Sequence, residues 1–298
     1  MNYPPPPKFE KSSHHVVPAL WQRRFSAPGD TGPYYLNVVT KQALSAQGPG
    51  SKMAEPYANI VFDEYFRPSD SLEDRLSKLE TKMVRGLDNL IGTGVLDDAT
   101  RVDVAMLMAV QASRYPERFA DRLDLGKYLA IALGDFRSYP DAKVLNGALR
   151  ATGMLPGASL TDDELTRLRQ ADERDLAQEL AEILNLHGYE AHFNPNLVID
   201  AAEQVASHLL ALQWTLLHSS EPAFILSDRP VPSSVGYGFS IGLSASYGLE
   251  LSMPQAPVSE GTILPQTASL SQINAINAEV RSRAREWICG PGTWVHQL

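Results

Sequence analysis

The chain has 298 residues, 44% hydrophobic and 20% charged, a composition that folds around a core rather than staying disordered. Its formal net charge of -9 excludes a protein that coats nucleic acid by bulk electrostatics, because phosphate binding needs clustered Lys and Arg, and only a local basic site would serve. Cys289 is the single cysteine, which rules out an internal disulfide and any zinc site built on two of the chain's own thiolates, and suits a reducing cytoplasm.

In chain order, residues 1–12 read as a disordered proline-rich arm, with Pro4 to Pro7 in solvated polyproline II. The arm lacks the apolar stretch after a basic start that marks a secretory signal. Residues 13–298 are expected to form one mostly helical domain. A short apolar element follows the arm, and Tyr34 to Thr40 reads as a strand because Tyr, Leu and Val suit a pleated, half-buried surface. Leu72, Leu76, Leu79, Met83, Leu87 and Leu90 recur at three- and four-residue spacing, which predicts a helix, with Ser71 and Asp74 placed to cap its start.

Asp98 opens a second helix whose stretch from Val104 to Val110 is apolar on every face, as expected of a helix passing through the core. That run is far below the roughly 20 residues of a membrane span, so no membrane partner is expected. The helix must close by Tyr115, before Pro116. Further helices are predicted over residues 117–133, 141–152 and 161–186, the last opened by Thr161 and Glu164 as a capping box, and an apolar stripe continues over 196–217. From Pro222 the texture changes to short β-compatible runs, Ala223 to Ser227, Gly238 to Ala245 and Leu249 to Met253, broken by Pro, Gly and Ser. These are expected to join the Tyr34 strand. A last helix from Ser271 carries Ile273, Ile276, Val280, Ala284 and Trp287 on one face and stops at Gly290 and Pro291. The fold class is therefore α+β, predominantly α-helical, a helical body with a small sheet built from N-terminal and C-terminal segments.

Four local patterns occur in order: His15-Val16-Val17-Pro18 with Arg23 and Phe25; Leu79-Glu80; Gln111-Ala112-Ser113-Arg114-Tyr115-Pro116; and Phe224-Ile225-Leu226-Ser227-Asp228-Arg229-Pro230-Val231. Together they resemble the bacterial "domain of unknown function 4238" family from about His14 to Pro291. The resemblance implies a standalone cytosolic protein and marks positions rather than chemistry. Two departures stand out: the family often carries Asn where this chain has Arg24, and Asn where it has Arg229. An arginine beside Asp228 would neutralise that carboxylate and weaken a metal-binding role.

The residues themselves offer two readings. Neighbours on a strand point to opposite faces, so of His14 and His15 only one, His15, is expected to turn inward; an ordinary histidine bonded to backbone is the plainer account. Gln111 and Arg114 lie three apart and share a helical face, and the guanidinium there must find a carboxylate, carbonyls or an anionic ligand, with Glu80 and Asp228 as the candidates that the family resemblance implies. Ser227-Asp228 sits where a strand gives way to a loop, a position that presents functional groups. In the first reading the protein is a metal-assisted hydrolase of phosphodiester or nuclease type. His15 and Asp228 are then catalytic, His15, Glu80 and Asp228 hold a divalent metal as cofactor, and Arg23, Gln111, Arg114 and Ser227 bind the substrate. In the second it is a non-catalytic ligand-binding or regulatory module whose polar residues form a structural network.

Three motifs are set aside. Gly238-Phe239-Ser240-Ile241-Gly242 spells a G-x-S-x-G elbow, with Glu250 or Glu260 and His296 downstream, but an elbow needs a strand, a sharp turn and a helix, and β-like texture follows instead. His187, Glu190 and His192 lack the spacing of a helical zinc motif. Gly236-Tyr237-Gly238 has no following helix and no lysine in a phosphate-binding position.

Overall fold

The computed structural model describes residues 8, 10, 11, 13–50, 52–56, 58, 59, 61, 62, 68–114, 139–151, 160–171, 196–255 and 261–297. The strands are β1 (Ser13–His15), β2 (Tyr34–Asn37), β3 (Ala43–Leu44), β4 (Ala54–Pro56), β5 (Val61–Phe62), β6 (Pro68–Ser69), β7 (Gln213–His218), β8 (Leu226–Ser227), β9 (Gly238–Gly242), β10 (Tyr247–Ser252), β11 (Gln266–Thr267) and β12 (Trp287–Gly290). The helices are α1 (Ala19–Gln22), α2 (Ser71–Thr93), α3 (Asp98–Ser113), α4 (Ala142–Ala151), α5 (Asp162–Gln170), α6 (Leu197–Leu210), α7 (Leu270–Arg283) and α8 (Gly292–Val295), with a 3-10 turn over Arg23–Phe25. Contacts divide the chain into two compact units, each drawn from three stretches.

The first unit comprises Met1–His14, Glu55–Leu76 and Pro116–Leu197. Its buried side chains include Leu72, Leu76, Leu145, Leu160, Leu165 and Leu168. Thr161 caps α5 as its spacing predicts, accepting from the Glu164 amide while the Glu164 carboxylate accepts from the Thr161 amide. The helix closes at Gln170, where Ala171 turns to an extended ψ, short of the expected continuation; residues 172–186 of that prediction, like the helix expected over 117–133, lie outside the described residues. Asp70 stands at the N-cap of α2, one position ahead of the predicted Ser71. Its carboxylate accepts from the amides of Glu10 (2.7 Å) and Lys11 (3.1 Å), and its amide donates to the Lys8 carbonyl, so the described part of the N-terminal arm is bonded to this unit.

The second unit comprises His15–Ala54, Ser77–Tyr115 and Val198–Leu298. Helix α3 runs through its core as expected: Val104, Ala105 and every residue from Leu107 to Ser113 are buried, and Asp97 caps it by accepting from the Thr100 amide at 2.7 Å. Two four-stranded sheets accompany it, so this unit is mixed α+β rather than a helical body with a minor sheet. One sheet, in the order β3-β2-β12-β8, is antiparallel throughout and does pair N-terminal with C-terminal strands: Tyr34 faces Gly290 and Leu36 faces Ile288. The other, in the order β11-β7-β10-β9, takes the strands at Gly238 and Leu249 that were expected beside Tyr34. Helix α7 packs on both β8 and β9.

Two predicted helices end early. The apolar stripe over 196–217 is helical only to Leu210; the chain then enters β7, where Trp214, Leu216 and Leu217 are buried and register against Leu251, Leu249 and Gly248 of β10. Apolar residues spaced for a helix face served a strand equally well, and the cross-strand pairing decided it. Helix α7 starts from a Ser269–Gln272 capping box and stops at Arg283, with Ala284 extended. Trp287 therefore belongs to strand β12 rather than to the helix.

Candidate functional site

Arg114 follows the last residue of α3 as its C-cap, and its side chain is almost wholly buried. It forms an ion pair with Glu80 of α2, and its Nη1 donates to the His15 carbonyl at 3.2 Å. The four-residue spacing of the α2 stripe turns Glu80 inward beside Leu76 and Leu79, which is why a carboxylate meets the buried guanidinium there. Three of the residues singled out by sequence, His15, Glu80 and Arg114, thus come together around one guanidinium. Gln111, one turn before Arg114, is 1% exposed. Its Nε2 and the Nε of Arg114 are buried without a hydrogen-bond partner among the described residues.

Asp228 has different neighbours. It follows β8, and its Oδ1 accepts from the Arg285 amide (2.8 Å) while Oδ2 accepts from the amides of Glu286 (2.7 Å) and Trp287 (2.9 Å). Its own amide donates to the Trp287 carbonyl at 2.9 Å. Burial pushes its carboxyl above the ordinary range; the three amides and the Arg229 charge pull it down without cancelling that effect. The Arg229 charge is the weakest of these influences. The same burial, reinforced by Asp228, holds the Cys289 thiol well above its ordinary value, so this cysteine is an inert core residue.

Among the described residues no group of three or more His, Cys, Asp or Glu side chains is placed to hold a metal ion. The set His15, Glu80 and Asp228 is accordingly not brought together: Glu80 faces Arg114, and both oxygens of Asp228 face the backbone of residues 285–287. Ser227, within β8, is fully buried, and its hydroxyl has no hydrogen-bond partner among the described residues. Arg23 is exposed in the 3-10 turn, where its carbonyl accepts from Ser26.

The fully buried histidine is His14; His15 is half-buried, with its Nδ1 shielded from solvent. His14 is 0% exposed, and its Nδ1 accepts from the Asn59 amide at 2.8 Å, which puts the ring proton on Nε2, 3.2 Å from the Lys11 carbonyl. Burial lowers its pKa despite the nearby Glu73 and Asp70 carboxylates. This is the plain backbone-bonded histidine, at the neighbouring position. The G-x-S-x-G residues are strand β9 itself. A Cβ on Gly238 would lie 2.2 Å from the Leu251 carbonyl oxygen, and one on Gly242 would lie 2.6 Å from that of Ile225, so both glycines answer close backbone approach. The cluster of His187, Glu190 and His192 lies outside the described residues.

Sequence reasoning missed the polar latch of α7. Asn277 is buried between apolar neighbours; its Oδ1 accepts from the Ile225 amide (3.2 Å) and its Nδ2 donates to the Ala223 carbonyl (2.8 Å). Arg283 binds Glu279 (2.6 Å) and donates to the carbonyls of Pro230 (2.9 Å) and Ser240 (2.6 Å). An asparagine in the apolar stripe Ile273, Ile276, Val280 was the available signal, since a buried amide must find partners.

Fold and site together define an α+β protein whose motif residues divide into a buried arginine–glutamate centre and a carboxylate that ties a strand to its neighbours. Residues 13–290 match the family described as "Protein of unknown function (DUF4238)", and the chain belongs to that family. No curated protein and no solved structure matches the chain. No helix among the described residues is long and apolar enough to cross a membrane.

Proposed function

We propose that this chain is a non-catalytic binding module that takes a small acceptor-bearing ligand at the C-terminal end of α3, with Gln111 and Arg114 as donors. The observation that carries this reading is the pair of buried donors, Gln111 Nε2 and Arg114 Nε, one helical turn apart and unpartnered among the described residues. Each unmet donor costs about 1–3 kcal/mol in a folded protein, and native structures keep few of them outside functional or hydrated sites. Because Glu80 already balances the guanidinium, the site offers donors without net positive charge. A carbonyl, amide or single carboxylate oxygen fits it better than a phosphate dianion.

The metal-assisted hydrolase reading asks His15 and Asp228 to act on a substrate anchored by Arg114. It is weakened because Asp228 spends both oxygens on backbone amides and Arg114 is already paired. The two readings part in one experiment: thermal shift of the wild type and of Gln111→Leu against small carboxylates and amides, alongside hydrolysis of a chromogenic phosphodiester with added Mg, Mn or Zn. The binding reading expects a saturable rise in Tm for a carboxylate or amide in the wild type, absent in Gln111→Leu. Metal-dependent hydrolysis lost in both His15→Ala and Asp228→Asn would establish the hydrolase instead.

A further inference from the structure

A cleft of about 940 Å³ in the second unit is lined by Asp30, Tyr34, Glu221, Trp294 and His296 among others, and Gln111, Arg114 and Asp228 are not part of its lining. Three separate stretches supply its walls, and each is fixed by the backbone. Ala27-Pro28-Gly29-Asp30 is a tight turn in which the Asp30 amide donates to the Ala27 carbonyl at 3.1 Å, with proline second and Gly29 at φ +89° third, the pattern of a type II turn. Tyr34 begins β2 opposite Gly290 of β12, and α8 leaves that same strand end through Pro291, whose carbonyl accepts from the Trp294 amide at 3.0 Å. The loop carrying Glu221 is held between the Ser219–Ser246 and Ala223–Ala245 backbone bonds.

The aromatic wall is equally set. Tyr34 and His296 meet edge to face with centroids 5.3 Å apart, and Gly292 lets the tyrosine ring pack so closely that a Cβ there would stand 2.9 Å from it. Tyr34 and Trp294 are half-buried, each leaving part of its ring to the cleft. The cleft's charged lining is wholly acidic apart from the histidine, with no Lys or Arg. The Asp30 and Glu221 carboxylates take no hydrogen bond or ion pair among the described residues.

We infer that this cleft binds a small organic cation, an alkylammonium or guanidinium carried on an otherwise compact molecule, between the Trp294 and Tyr34 rings and the two carboxylates. Aromatic faces attract a cation within about 6 Å of the ring centre through their quadrupole, and the attraction grows when the site excludes water. The Asp30 and Glu221 carboxylates of the same lining, unpaired among the described residues, supply the matching charge, and the volume lies in the range of small-molecule sites. A neutral ligand of the same shape would leave both carboxylates uncompensated.

The test follows intrinsic tryptophan fluorescence during titration with choline, agmatine and, as an uncharged isostere of choline, 3,3-dimethylbutanol, all at one fixed pH and ionic strength. Trp294→Phe identifies which of the four tryptophans reports. The expected result is a saturable change with at least one of the two cations, abolished as a signal by Trp294→Phe. Affinity should fall at least about tenfold in Asp30→Asn/Glu221→Gln, whose Tm should match the wild type because both substitutions are isosteric and neither carboxylate has a partner. Absence of saturable binding by either cation, equal binding of the alcohol, or unchanged affinity in the double variant would each overturn the proposal. None of these outcomes bears on Gln111 and Arg114, which lie outside the cleft.

Discussion

Asp228→Asn is the most informative single substitution. The carboxylate receives three backbone amides at 2.7 to 2.9 Å, one on Oδ1 and two on Oδ2. An asparagine oxygen placed at the Oδ2 position keeps two of these bonds in a weaker, uncharged form, but turns its NH2 toward the Arg285 amide, donor against donor. The lost charge-assisted bond is worth about 1.5–3 kcal/mol, and each surviving bond weakens by about 1 kcal/mol. Against this, the amide relieves the desolvation that burial imposes on the carboxylate, the dominant influence on its pKa. A net loss of about 2 kcal/mol is expected, read as a lower midpoint in urea at unchanged slope. A variant as stable as the wild type within about 0.5 kcal/mol, or more stable, would refute the reasoning and return Asp228 to the role of a catalytic or ligand-binding carboxylate. Combining it with Arg114→Lys extends the test: the two residues have separate partners, so their effects should add within about 0.5 kcal/mol.

Leu107→Ala, at a fully buried position of α3, should cost about 2–5 kcal/mol in urea unfolding, and an effect within error would show that this face is not packed. Gly242→Ala should destabilise by about 1–3 kcal/mol, because its Cβ would meet the Ile225 carbonyl oxygen at 2.6 Å and the Phe25 ring at 2.9 Å; unchanged stability would mean that β9 can shift. For His14 the folded pKa lies below its ordinary value of 6.5, chiefly through burial. The unfolded chain therefore binds more protons just below that value, and the stability His14 contributes is full above it and lost as pH falls through the folded pKa. The urea midpoint of the wild type should accordingly decline from about pH 6.5 downward, and His14→Gln should flatten that part of the profile; an identical decline in the variant would assign it to other groups.

The local signals in the chain were sufficient for the long helices. Leucines at three- and four-residue spacing fixed α2, a stretch apolar on every face marked α3 as a core helix, and the Thr161–Glu164 pair gave the capping box of α5, because periodicity and capping are properties of neighbours in sequence. The meeting of Arg114 with Glu80 was legible in part, since a buried guanidinium demands a partner and the family resemblance marked Glu80 and Asp228 as the two candidates, of which only Glu80 pairs with it. Where elements end was decided elsewhere. Residues 285–287 continue a helical pattern, yet their amides donate to Asp228, nearly sixty residues away in sequence, and the chain becomes β12. Residues 213–217 fit either period until β10 pairs with them. The same holds for function: His14 is the fully buried histidine and takes the Asn59 amide on its ring, and the acidic aromatic cleft draws on stretches around residues 30, 221 and 294 that no spacing links. A buried polar group takes whichever distant partner the fold brings to it, and that choice exists only in three dimensions.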